Sequence, residues 1–141
     1  MKNARKYRER AELAKDIVQS EAYRNDWRFG VDYTETIREI QRRNRKLVRE
    51  NNDYIAVEGC DYRCVIRYYG DESGTWYNLE SYDTDVCSIH YNADGCFFWK
   101  EWEGWTPTTM KHINAFRAQF GFKPMNKYDW LMLDLFEDER K

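Results

Sequence analysis

Apolar and polar positions change rhythm once along this chain, near Asn51-Asn52-Asp53. Upstream, Tyr7, Ala11, Ala14, Ile17, Val18 and Ala22 recur at three- or four-residue intervals, the period of one helical stripe. Asn25-Asp26 and Gly30 punctuate its end. A second helix starts near Asp32 or Thr34, either of which suits an N-cap, with Glu35 beside the positive helix end. Its stripe is Tyr33, Ile37, Ile40, Leu47 and Val48. Both stripes are narrow, so residues 1–50 read as an amphipathic helical hairpin resting on its own sheet or on a partner, with Trp27-Arg28-Phe29 at the bend.

Downstream of the break, β-branched and aromatic residues alternate between turn signals and predict five strands: Tyr54–Glu58, Arg63–Tyr69, Thr75–Tyr82, Asp85–Tyr91 and Cys96–Trp102. The turns fall at Gly59–Asp61, Gly70–Gly74, Asp83–Thr84 and Asn92–Gly95, and connections this short favour an antiparallel meander. Thr106-Pro107 then opens a helix with an apolar stripe of Met110, Ile113, Phe116 and Phe120, closed by Gly121. A last helix is predicted from Lys127 to about Glu137, with Asn126 and Asp129 spaced as a capping box. Its Trp130, Leu131, Leu133, Leu135 and Phe136 are expected to close the core or meet a partner. The pattern is α+β: an N-terminal helical hairpin, a meander of about five strands and two C-terminal helices. One domain spans 1–141, a basic hairpin arm (1–50) followed by an acidic sheet-plus-helices body (51–141).

Charge sharpens that division. The net charge of -2 is the sum of about +5 over residues 1–50 and about -7 over 51–141. A basic arm suits phosphates or an acidic protein, whereas an acidic body could occupy a nucleic-acid site on another protein. The aromatic share of 17% exceeds what a core of this size needs, so some rings are expected at the surface, where Trp and Tyr favour interfaces. No apolar targeting segment follows Met1, and the run from Trp130 to Phe136 is too short to span a bilayer. A soluble cytoplasmic protein with reduced thiols is expected, and no membrane partner.

Catalytic motifs are scarce: the chain holds no phosphate-loop, dinucleotide or H-E-x-x-H pattern. Cys87 and His90 stand three apart, which on a strand turns them to opposite faces and argues against a nucleophile–base pair. Cys60, Cys64, Cys87, His90 and Cys96 could supply zinc ligands, but only Cys60 and Cys64 are spaced as a knuckle and no second knuckle follows. They are read as small buried thiols, with no metal and no cofactor expected. For nucleic acid, Arg42, Arg43, Arg45, Lys46 and Arg49 form a basic run and Phe97 to Trp105 an aromatic one. Glu101 and Glu103 lie among those rings, which fits a protein surface better than a polyanion.

One stretch carries a signature. Ser81-Tyr82-Asp83-Thr84-Asp85-Val86, followed by Thr108-Thr109-Met110-Lys111-His112-Ile113, resembles small, largely uncharacterised proteins of bacteriophages and plasmids. In these, an SY-x-T-x-V strand precedes a TT-x-(K/R)-H-I helix start. The likeness runs from Trp76 to Phe122, about a third of the chain. It implies that Tyr82, Thr84 and Val86, in the strand that Ser81 opens, lie beside Thr108, Thr109 and His112. They would form either a structural joint, with His112 bonded to strand backbone, or a small anion-receiving cleft. By analogy of origin and size, the expected function is non-enzymatic: a mobile-element protein that binds and inhibits a host defence complex, most specifically an anti-CRISPR protein obstructing a CRISPR effector. Trp99, Trp102 and Trp105 would anchor the contact, and Glu101, Glu103, Asp71 and Glu72 would pair with the effector's basic residues. The alternative is a small nucleic-acid-binding accessory protein that uses the basic helix.

Overall fold

The computed structural model describes residues 34–133 and the backbone of 136–137. The expected first helix, the Trp27-Arg28-Phe29 bend and Leu135 lie outside the described residues. Helix α1 (Thr34–Glu50) leads into strands β1 (Tyr54–Ile55), β2 (Cys64–Asp71), β3 (Gly74–Ser81), β4 (Thr84–Asn92) and β5 (Gly95–Lys100). Helices α2 (Pro107–Gln119) and α3 (Lys127–Met132) follow, then β6 (Phe136–Glu137). The six strands pair antiparallel in sequence order, so the sheet is a meander and the fold α+β.

Turn chemistry sets the register. Gly74 takes φ +135°, and a Cβ there would lie 2.1 Å from the Tyr91 carbonyl oxygen, so only glycine fits. Gly95 (φ +141°) takes a similar backbone conformation in the β4–β5 hairpin, where a Cβ would have room, 3.9 Å from the Phe97 ring. In the β3–β4 turn Tyr82, expected on a strand, takes φ 58°. Pairing shifts between Leu79 and Glu80, a bulge that lets the Val86 carbonyl accept from both Glu101 and Trp102 N–H, at 3.0 and 3.1 Å.

One sheet face carries the core. Ile66, Leu79, Ile89 and Phe98 meet Met110, Ile113 and Phe116 of α2, with Trp130 of α3 and Trp102 enclosed in the same cluster. The Thr106 hydroxyl caps α2 by accepting the Thr109 N–H at 3.2 Å. Asn126 and Asp129 form the expected capping box on α3.

Two expected elements are shorter than their sequence suggests. β1 stops at Ile55 because the Gln119 side chain takes over the ladder's bonds, donating to the Ala56 carbonyl and accepting from the Glu58 N–H. α3 stops at Met132, and the chain turns extended to give β6 where helix was expected. Lys100 causes the stop: its buried Nζ donates to the carbonyls of Trp130 (2.9 Å) and Leu133 (3.1 Å), closing the helix end. Leu131, Leu133 and Leu135 also alternate at period two, a strand rhythm. Leu131 is 44% exposed and so does not close the core.

Candidate functional site

Helix α1 is polar except for one side. Ile37, Ile40, Leu47 and Val48 turn inward as expected, and Asn44, fully buried, joins them. Ile40 packs against Tyr82 in a small cluster separate from the main core. Four bonds fasten this helix to the body: Gln41 to the Asp61 carbonyl (3.1 Å), Asn44 to the Tyr62 carbonyl (2.7 Å), and Arg43 to Asp83 (3.0 Å) and to the Tyr82 carbonyl (3.3 Å). At roughly 100° per residue, Arg38, Arg42, Arg45 and Arg49 fall within about 60° of one another, on the side turned away from Asn44. All four are exposed. Arg38 is paired with Glu35, Arg49 with Glu50, and the Arg45 guanidinium lies 5.4 Å from the centre of the Tyr62 ring. Arg43, expected among the phosphate contacts, is instead occupied by Asp83 and the Tyr82 carbonyl. Lys46 is exposed at the ridge's flank.

The expected acidic and aromatic contact set does not assemble on one face. Asp71 and Glu72 sit at the β2–β3 turn, whereas Glu101, Glu103 and Trp105 follow β5 at the opposite end of the sheet. Trp102 is a correction: at 5% exposure it belongs to the core and is no contact ring. Trp99 and Trp105 are half-buried, with the Lys127 ammonium 4.5 Å from the Trp105 ring. Asp71 is held by Ser73 and by Trp76 Nε1. Glu103 is exposed and pairs with Lys100 at 3.3 Å.

Signature residues converge below α1. Ser81, Tyr82, Thr84, Thr109 and His112 are buried, and Thr108 is half-buried. The Ser81 hydroxyl meets His112 Nδ1 at 2.8 Å and the Thr109 hydroxyl at 3.4 Å. His112 therefore bonds a strand side chain, not the strand backbone that the structural reading expected. Burial, reinforced by the positive charge of Arg63, lowers its pKa to about 4 and keeps the imidazole neutral near pH 7.

The cysteines divide into two groups. Cys87 faces the core, and His90 lies on the other face, stacked on Trp76 at 3.8 Å between ring centres, so the two point apart as the strand period requires. Cys96 packs against the core. Cys60 and Cys64 meet His112, a residue 48 positions further on that the zinc reading of the sequence did not include. The pairing with Cys87, His90 and Cys96 is thereby replaced. The one clue in the sequence was that His112 closes the signature.

Fold and surface together define a small α+β protein: a six-stranded meander backed by two helices, with an outward basic helix on its flank. Residues 33–132 match the family of unknown function DUF8033, and the chain belongs to that family. No curated protein and no solved structure matches it. Among the described residues, no helix is long and apolar enough to cross a membrane.

Proposed function

We propose that this protein binds nucleic acid through the ridge of α1, as a small accessory or regulatory protein that makes and breaks no covalent bond. The observation that carries the reading is the placement of Arg38, Arg42, Arg45 and Arg49 on one outward side of a helix whose other side is bonded to the body. The eleven steps from Arg38 to Arg49 rise about 16 Å along the helix, enough to face about five phosphates of one strand. Tyr62, beneath Arg45, offers a half-exposed ring for stacking beside that track. The carboxylates of Glu35, Glu39 and Glu50 edge the ridge and confine a polyanion to its crest. Fluorescence anisotropy with labelled single- and double-stranded oligonucleotides tests it. Affinity is expected to fall as salt rises, with a log–log slope near about -3, and Arg42→Ala with Arg45→Ala should flatten that slope by about 2. No binding in low salt rejects the reading.

A second reading, inhibition of a host defence complex such as a CRISPR effector inside a bacterial cell, is favoured by α3. Tyr128 (69% exposed), Leu131 (44%) and Met132 (63%) share one side of that helix and are open to solvent. Such a patch suits a protein partner better than the half-buried tryptophans do. Recovery of a defined effector from bacterial lysate, abolished by Leu131→Asp with Met132→Asp, would favour it over nucleic-acid binding.

A further inference from the structure

We infer that Cys60, Cys64 and His112 form a binding site for a thiophilic divalent cation, zinc by the nature of its donors, with a fourth position open to water. Their ligand atoms all lie within 4.8 Å of one another. Tetrahedral zinc with sulfur at about 2.3 Å and nitrogen at about 2.0 Å places its donors about 3.5–3.8 Å apart, so closure needs about 1 Å of side-chain movement at most.

The loop that presents the thiols is built like a knuckle. Gly59 (φ +81°) and Tyr62 (φ 68°) turn the chain through left-handed conformations on either side of Asp61. A tyrosine holds such a conformation only where its surroundings fix it, and here every residue between the cysteines is tied down. Asp61 Oδ1 accepts from the Arg63 N–H and Nε, the Tyr62 carbonyl accepts from Asn44, and the Arg63 carbonyl accepts from the Tyr82 N–H. Cys64 then opens β2, buried, while Cys60 is only partly buried.

The third donor is held by a separate element. Ser81 fixes His112 through Nδ1, which leaves Nε2 as the nitrogen to meet a metal, the usual role of an outer partner to a ligating histidine. Ser81 is itself 1% exposed, and its hydroxyl lies 3.4 Å from that of Thr109, also 1% exposed, so the partner that orients the imidazole is held in turn. A metal bound there would displace both thiol protons, and two thiolates with a neutral imidazole then make a donor set of charge -2, matched to a divalent cation.

Metal analysis of the full chain, purified without chelator, tests this. About one equivalent of zinc is expected, and replacement by Co²⁺ should give a thiolate-to-cobalt charge-transfer band together with the intense visible bands of a tetrahedral site. Cys60→Ser, at a half-exposed position that the fold tolerates, should weaken Zn²⁺ binding at least about 100-fold. Ser81→Ala, a change to the positioning residue, should weaken it about 10- to 100-fold. Cys96→Ser should leave it unchanged. Absence of zinc together with no charge-transfer band overturns the assignment. So does undiminished affinity in Cys60→Ser, or a Cys60–Cys64 disulfide as the species isolated under reducing conditions.

Discussion

Replacing Asn44 by alanine tests how α1 and the cysteine loop hold each other. Asn44 is fully buried on a helix that is otherwise polar, and its amide donates to the Tyr62 carbonyl at 2.7 Å. Removing that donor forfeits a bond of about 1 kcal/mol and leaves a carbonyl without a partner, which raises the expected loss to about 2 kcal/mol. The bond also helps hold Tyr62 at φ 68°, a conformation that costs a side-chain residue about 1 kcal/mol. Urea denaturation followed by circular dichroism, with chelator present, reads the change. A loss of about 2 kcal/mol corresponds to a fall in Tm of roughly 8 °C for a chain this size. A cycle with Tyr62→Gly isolates the coupling: glycine accepts the left-handed conformation freely, so Asn44→Ala should cost less in that background. A loss below about 0.5 kcal/mol, or equal losses in both backgrounds, would refute the view that Asn44 clamps a strained loop.

Further outcomes are expected elsewhere. Gly74→Ala should destabilise by at least about 2 kcal/mol in thermal melts, since its Cβ would collide with the Tyr91 carbonyl and its φ of +135° is unsuited to a side chain. Lys100→Met should cost about 2–3 kcal/mol, leaving the Trp130 and Leu133 carbonyls without their charged donor, whereas Glu103→Ala, removing its 81% exposed partner, should cost under about 1 kcal/mol. In metal-free protein, His112 has a folded pKa of about 4 against 6.5 for the free side chain, so the unfolded chain takes up the proton first. Stability from this group is full above about pH 6.5 and declines by about 3 kcal/mol as pH falls towards 4; His112→Gln should remove that part of the slope in denaturation series across this range.

Most of the sheet was legible because its signals are local. Alternation in Ile66, Leu79 and Ile89, with glycines at 74 and 95, fixes both the strands and their order, and Asn126-x-x-Asp129 announces a helix start within four residues. What could not be read depends on distant partners. α3 ends early because a lysine from β5 reaches its carbonyls, and β1 is cut short by a glutamine from α2. Trp102 looked like a surface ring beside Glu101 and Glu103, but the bulge at Leu79/Glu80 draws the chain after β5 back over Val86 and turns that indole inward. The thiol–imidazole cluster was hidden for the same reason. Cys60 and Cys64 were visible as half a knuckle, yet their complement lies on a helix behind Ser81, beyond three intervening strands.

The brevity of β1 has a consequence for self-association. This strand is only two residues long on the rim beside β2, and the Gln119 side chain occupies the Ala56 carbonyl and the Glu58 N–H that follow it. A rim so short offers few open amide and carbonyl groups for a neighbouring molecule to extend the sheet, and the charged α1 packs beside β2 on the same flank. On this flank a chain with 17% aromatic residues is thereby guarded against stacking into fibrils, and lengthening β1 by a few apolar residues would remove that guard.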